Sequence, residues 1–244
     1  MTDKMPSDSV PERKSAGRSH DVLIDMVRIS TEHGDDHDAA IRGLLEAVRT
    51  FLDLPVAIVS RIVADDYVLE QVIDQGGELV SGKRFRLTDT YCERVIALES
   101  PLFVERAGDS LFKGHPCYEE TGLETYIGVR LMLGEQLYGT LNLTSPEPRR
   151  RPFSPDETSV VETAGVMISQ HIALRQADQR FQLAVEGASV GLWDWNIRTG
   201  ETYWSPRVYE LTGVGPKADN RGFDAFLARI HDDDRPRPRA AVER

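Results

Sequence analysis

Between Tyr126 and Thr144 apolar residues recur at every second position. Ile127, Val129, Leu131 and Leu133 share one side of a run, and Leu137, Gly139, Leu141 and Leu143 share one side of the next. Gly134-Glu135 lies between them. A period of two is the signature of a strand with one face buried, so the segment predicts a β-hairpin turning at Gly134-Glu135. A hairpin needs further strands or helices before it is stable. The remaining sequence must therefore supply the layers that cover it.

It does so on both sides. From Asp21 to Leu54 the spacing is helical, with Ile41, Leu44, Leu45, Val48 and Leu52 on one stripe. Glu32-His33-Gly34-Asp35-Asp36 interrupts it, which predicts two helices, the second ending before Pro55. Apolar runs over Val56–Val63 and Tyr67–Ile73 read as strands, with Gln75-Gly76-Gly77 as the following turn. Leu102–Glu105 reads as a short strand. A helix starts at Ser154: Ser154 suits the N-cap, Pro155 suits N1, and Glu157 at N3 completes a capping box. Its pattern runs toward Val185 with positions 160, 164, 167, 171, 174, 178, 181 and 185 on an imperfect heptad seam. The first half is expected to pack on its own domain. Past Leu174 the sequence turns polar, as in an exposed linker helix. Residues 1–20 carry Ser, Pro, Lys, Asp and Arg with no apolar period and read as a disordered tail. The fold class is α+β.

Composition removes several functions. The net charge of −11 disfavours nucleic acid or an anionic membrane as the main partner. Arg149-Arg150-Arg151 is short, lies between prolines and reads as a solvated loop. No apolar run approaches the length of a membrane span, and the N-terminus has no signal-peptide core, so the expected location is cytoplasmic. The 2 Cys, Cys92 and Cys117, make neither a disulfide framework nor, with His115 alone nearby, a zinc site. Phosphate-binding, nucleophile-elbow and metalloprotease motifs are missing from the sequence.

Cys92 is the residue with the most chemical interest. Thr90-Tyr91-Cys92-Glu93 reads as a second capping box, with Thr90 at the N-cap and Cys92 at N2. Helix N-terminal N–H groups there would lower a thiol's pKa and make a sensing thiolate, although Glu93 opposes this. The competing reading, which the balance favours, is a small buried apolar residue.

Three stretches, Leu87–Ser110, Gly114–Leu143 and Phe153–Glu157, occur in the order found in GAF domains, and residues 21–173 resemble that family. The resemblance implies an antiparallel sheet flanked by helices, a long exit helix and a sensor role. GAF domains take varied ligands, so the cofactor is left unknown. Bilin-binding members usually attach chromophore to a Cys followed by His. Here Glu93 follows Cys92 and Tyr118 follows Cys117, which disfavours a bilin. No NKFDE-like signature of cyclic-nucleotide binders is present. Phe112, His115, Tyr118 and Tyr126 flank the loop that often roofs the pocket in this family. Tyr91 and Cys92 with Phe112, His115 and Tyr126 form the candidate ligand site, although aromatic residues can equally fill such a cavity.

Residues 174–180 then read as a helical linker. The segment 181–244 resembles the N-terminal part of a PAS domain, through FQLAVEGASVGLWDWNIRTGETYWSPRVYELTGVGP and FLARIHDDDRPR. Its 3 Trp, Trp193, Trp195 and Trp204, fall on a predicted hairpin over Gly191–Ile197 and Glu201–Trp204. Ser205 and Pro206 start a helix that Gly213 ends. At His231-Asp232 the family's His-Pro step is replaced. The later strands of such a sheet are not encoded, so 181–244 is not expected to fold stably alone, and the chain reads as part of a longer sensor. His171 lacks the context of a phosphoacceptor histidine and reads as a seam or interface residue. The resemblance implies the input region of a sensor histidine kinase, dimeric through the exit helix, relaying a small-molecule, redox or partner signal. A ligand-free GAF dimerisation module is the alternative, as is the input of a cyclic-di-GMP cyclase or phosphodiesterase. A GAF-fold methionine sulfoxide reductase would need a matched set of Cys that the chain does not display.

Overall fold

The computed structural model describes residues 10–213, 215, 223 and 227–238, with side-chain environments from residue 17 onward. Helix α1 runs over Val10–Glu32 and α2 over His37–Leu52. The N-terminal segment expected to be disordered up to residue 20 is thus helical from Val10, because its later turns continue straight into the apolar stripe of α1. Asp36 caps α2 by accepting from the Ala39 N–H at 3.0 Å, and Asp53 stops it in the left-handed region at φ 54°. The stripe Ile41, Leu44, Leu45, Val48 and Leu52 is buried as its spacing requires.

Strands β1 (Val56–Val63), β2 (Asp66–Asp74), β3 (Arg84–Arg86), β4 (Leu102–Val104), β5 (Thr125–Leu133) and β6 (Gln136–Ser145) form one six-stranded sheet of order β3-β2-β1-β6-β5-β4. Every pairing in it is antiparallel. Short helices α3 (Cys92–Leu98) and α4 (Pro116–Thr121) connect its second half. The hairpin turns at Gly134, φ 63°, as the sequence predicts. Edge strand β3 and helix α4 escaped sequence reading because each is too short to establish a period.

Both faces of the sheet are covered. On one face Ala57, Val59, Ile127, Val129, Leu131, Leu141 and Leu143 pack against α1, α2 and helix α5 (Pro155–Gly187). On the other, Val56, Ile58, Tyr67, Leu69 and Tyr126 pack against α3 and α4. Two β-bulges break the alternation. Register shifts between Val59 and Ser60 opposite β2, and between Leu131 and Met132 opposite β6, leave Glu70 and Tyr138 as extra residues. Each bulge turns a side chain to the helix-covered face. Tyr138 therefore enters the core at the end where Leu137 was expected, and Leu137 is only partly buried.

Helix α5 starts with the predicted capping box: the Glu157 N–H donates to Ser154 Oγ at 3.2 Å, and the Ser154 N–H donates to Glu157 Oε2 at 2.8 Å. Glu157 is buried and also binds Arg149 and Arg151. The basic run is therefore not wholly a solvated loop. Arg149 lies over the Phe153 ring at 4.2 Å, and only Arg150 and Arg151 face solvent. Along α5, Val160, Ala164, Ile168, His171 and Ile172 are buried, whereas Leu174, Phe181 and Leu183 are exposed.

The chain divides into two units, one ending at Arg175 and the other starting at Gln176, so the boundary falls inside α5 and not at a loop. The second unit holds strands β7 (Trp193–Trp195) and β8 (Thr202–Trp204), paired as a hairpin, and helix α6 (Pro206–Thr212), closed by Gly213 at φ 68°. The strands are shorter than expected, because the Asn196 carboxamide folds the Arg198 and Thr199 N–H groups into a broad turn. Ser205 occupies the N-cap but does not cap; its hydroxyl accepts from the Leu192 N–H at 3.0 Å instead. Trp204 is buried, and Trp195 stacks on Phe223 at 4.8 Å. Phe226 lies outside the described residues. Among the described residues no helix is long and apolar enough to cross a membrane.

Candidate functional site

The face of the sheet under α3 and α4 holds a half-open cavity of about 110 Å³. Strand parity builds its floor. Along β6, Leu141 and Leu143 serve the helix-covered core, so Asn142 and Thr144 point the other way. On β5, Tyr126 faces the same side, and its ring lies across Gly128, where an added Cβ would sit 2.3 Å from the hydroxyl. Tyr67 and Leu69 enter from β2, and Ile58 enters from β1.

Cys92 is at the centre of the polar part. Its Sγ lies 3.2 Å from Tyr126 Oη, accepts from Thr140 Oγ1 at 3.3 Å, and donates toward Asn142 Oδ1 at 3.7 Å. The Tyr67 hydroxyl donates to the same Asn142 oxygen at 2.7 Å. Thr140 is in turn held by Ser60, oxygen to oxygen, at 2.9 Å. In this network of neutral groups each member makes at least one hydrogen bond, as buried polar groups usually do. No member carries a charge.

The second capping box expected at Thr90-Glu93 does not form. Tyr91 is the N-cap, Thr90 donates to the Leu87 carbonyl, and Cys92 is the first helical residue. Cys92 is 1% exposed, and burial pushes its thiol pKa up, against the hydrogen bonds from Thr140 and Tyr126 that pull it down. Burial thus overrides the helix terminus, and a resting thiolate is disfavoured. Cys117, also on the cavity wall, is pushed up to about 11 by burial.

Of the residues singled out from sequence, Tyr91, Cys92 and Tyr126 line the cavity. Phe112 and His115 do not: they pack on the outside of Tyr91, with ring centroids 5.1 and 5.2 Å away. His115 caps α4, its Nδ1 accepting from the Cys117 N–H at 3.2 Å, and burial lowers its pKa. Tyr67, Asn142 and Cys117 were missed. The available signal was the polar series Thr140, Asn142 and Thr144, out of phase with Leu141 and Leu143 on a strand whose two faces are both covered.

On the opposite face, the Glu70 bulge on β2 reaches the exit helix. Arg175 binds Glu70, and it binds Asp38 of α2 at 2.6 Å; the bulged Tyr138 donates to Glu70. One turn earlier His171, far from being a surface phosphoacceptor, is buried. Its Nε2 lies 2.7 Å from Ser30 Oγ and its Nδ1 3.2 Å from Nδ1 of His37. Among the described residues no group of three or more His, Cys, Asp or Glu is placed to hold a metal ion.

Comparison with known proteins fits this geometry. The sequence model of the GAF domain matches residues 36–172. The chain is 35% identical over 66 residues to the sensor protein FixL of Bradyrhizobium diazoefficiens, a match covering 27% of this chain and 13% of that relative's length. The fold is similar to the GAF domain of an Acinetobacter phosphoenolpyruvate-protein phosphotransferase, with TM-score 0.55 and 18% identity over 66% of this chain and 97% of the other. It is also similar to the chromophore-binding domain of an unusual bacteriophytochrome from R. palustris, with TM-score 0.55 and 15% identity over 71% of this chain and 65% of that one. At these identities the structural likeness speaks for the fold.

Proposed function

The chain belongs to the GAF domain family through residues 36–172, and on that premise we propose that it is the input region of a sensor histidine kinase, with the cavity at Cys92, Tyr126, Tyr67 and Asn142 as its signal site. One observation carries the reading: strand β2 touches both ends of the relay. Tyr67 and Leu69 line the cavity, while the adjacent Glu70, turned over by its bulge, binds Arg175 of the exit helix. A signal that shifts β2 by displacing Tyr67 moves the anchor of α5 with it. That gives the site and the exit helix one bistable element to share, which coupling requires. The partial match to a sensor protein supports the sensory role. The hairpin β7–β8 with the Pro206 helix supports reading residues 181–244 as the start of a PAS module. A cytoplasmic location accords with this role.

The test is hydrogen–deuterium exchange on the full chain. Leu79→Trp fills the cavity from its partly exposed wall and stands in for occupancy. Exchange across residues 171–187 of α5 is expected to change in Leu79→Trp and to stop responding when Glu70→Gln is added. If α5 exchange ignores Leu79→Trp, the relay is wrong.

Self-association through α5 belongs to the same proposal. Leu174 and Phe181, one heptad apart on the same side of the helix, are 52% and 55% exposed, a burden that pairing with a second copy relieves. Light scattering should give a dimer mass, reduced to that of the monomer by Phe181→Glu combined with Leu174→Glu.

A further inference from the structure

The chemistry of the cavity narrows what can enter it. We infer that the signal site takes a small, uncharged, single-ring molecule bearing one hydrogen-bonding oxygen, a phenol-class ligand; this rests on the reading of the cavity as the input site.

Size sets the first limit. About 110 Å³ is less than the ~300–1,000 Å³ typical of drug-sized ligands and close to the ~150 Å³ engineered cavity that holds benzene. A nucleotide or a tetrapyrrole does not fit at this volume. Charge sets the second. No Lys or Arg lines the cavity, and Asp89 and Glu120 are its charged lining residues, so an anion meets repulsion and no counter-ion. Asp89 is half-buried and Glu120 exposed, so a cation's counter-charges stay at the solvated rim and the floor holds none. Burial raises the pKa of Tyr67, Tyr126 and Cys92, and all three stay neutral near pH 7.

What remains is an apolar chamber with aromatic walls and one unused polar group. Asn142 is 4% exposed. Its carbonyl oxygen is already taken by Tyr67 and Cys92. Two donors converging on that oxygen orient the carboxamide, which leaves its amide nitrogen to the cavity that Asn142 lines. A donor open to the cavity favours a ligand with an acceptor oxygen. Tyr67 and Tyr126 offer ring surfaces to an aromatic guest.

The experiment titrates the full chain with phenol, toluene and benzoate by calorimetry. Phenol should bind saturably, roughly at millimolar concentration or tighter for so few atoms. Leu79→Trp should abolish binding. Asn142→Leu should weaken phenol by roughly ten-fold, the effect of one neutral hydrogen bond, and leave toluene unchanged. Circular dichroism and cooperative urea unfolding verify that each variant is folded; Asn142→Thr replaces Asn142→Leu if the latter is not. The inference is overturned if phenol shows no Leu79→Trp-sensitive binding, or if benzoate binds as tightly. Benzoate binding that Leu79→Trp blocks would remove the ligand class and leave the input-site reading standing. That reading falls separately, through the exchange experiment on α5.

Discussion

Burial decides how the titratable side chains of this domain behave. Cys117 has a free-thiol value of 9.0 and is pushed up to about 11 in the fold. The native state therefore holds its proton longer than the unfolded chain does. The associated stability is complete below pH 9 and disappears as pH climbs through 11. The urea midpoint should fall across that window, and the fall should shrink in Cys117→Ala. Cys92 should resist thiol reagents at neutral pH until the domain unfolds; labelling at the rate of a free thiol would contradict its burial. His171 has the opposite sign. Burial first, then the neighbouring His37 and His33, lowers its pKa from 6.5, so its contribution is present above pH 6.5 and lost on acidification. The acid limb of a thermal-stability profile should flatten in His171→Gln. At this scale the fold brings Tyr91, Cys92 and Tyr126, three of the five residues singled out from sequence, to one cavity wall. The sequence could not separate them from Phe112 and His115, because lining a cavity and packing behind its wall demand the same aromatic residues.

Among the elements, the start of α5 was the most legible. A capping box uses side chains within four positions of one another, so local sequence contains all of it. Ser154→Ala should cost about 1 kcal/mol of stability, read from urea unfolding at constant m-value. The capping box at the start of α3 looked equally clear and does not form: tertiary packing turned Thr90 onto the Leu87 carbonyl and buried Cys92. The bulges were illegible for a related reason. Nothing local announces that Glu70 and Tyr138 are extra residues; their register depends on partners far along the chain. Gly139 sits beside the second bulge, where a Cβ would meet the Ser60 carbonyl at 1.8 Å. Gly139→Ala should cost about 3 kcal/mol or more, as overpacking against immobile backbone does.

For the molecule as a whole, the order of the longer helices and strands, the α+β class and the switch of α5 from buried to exposed near Leu174 were all present in the sequence. They rest on periodicity, which each segment expresses by itself. The acidic net charge is likewise legible without the fold, because it is a property of composition. Only the tertiary structure decided that β1 lies between β2 and β6, and this placement makes the functional geometry. It brings Tyr67 and Asn142, 75 positions apart, into one hydrogen bond, and it sets Arg175 against Glu70 on the other side of the same sheet. The physical reason is that a strand's own sequence specifies which residues share a face. Which strands lie beside it, and what that face is turned toward, are specified by the packing of the entire core.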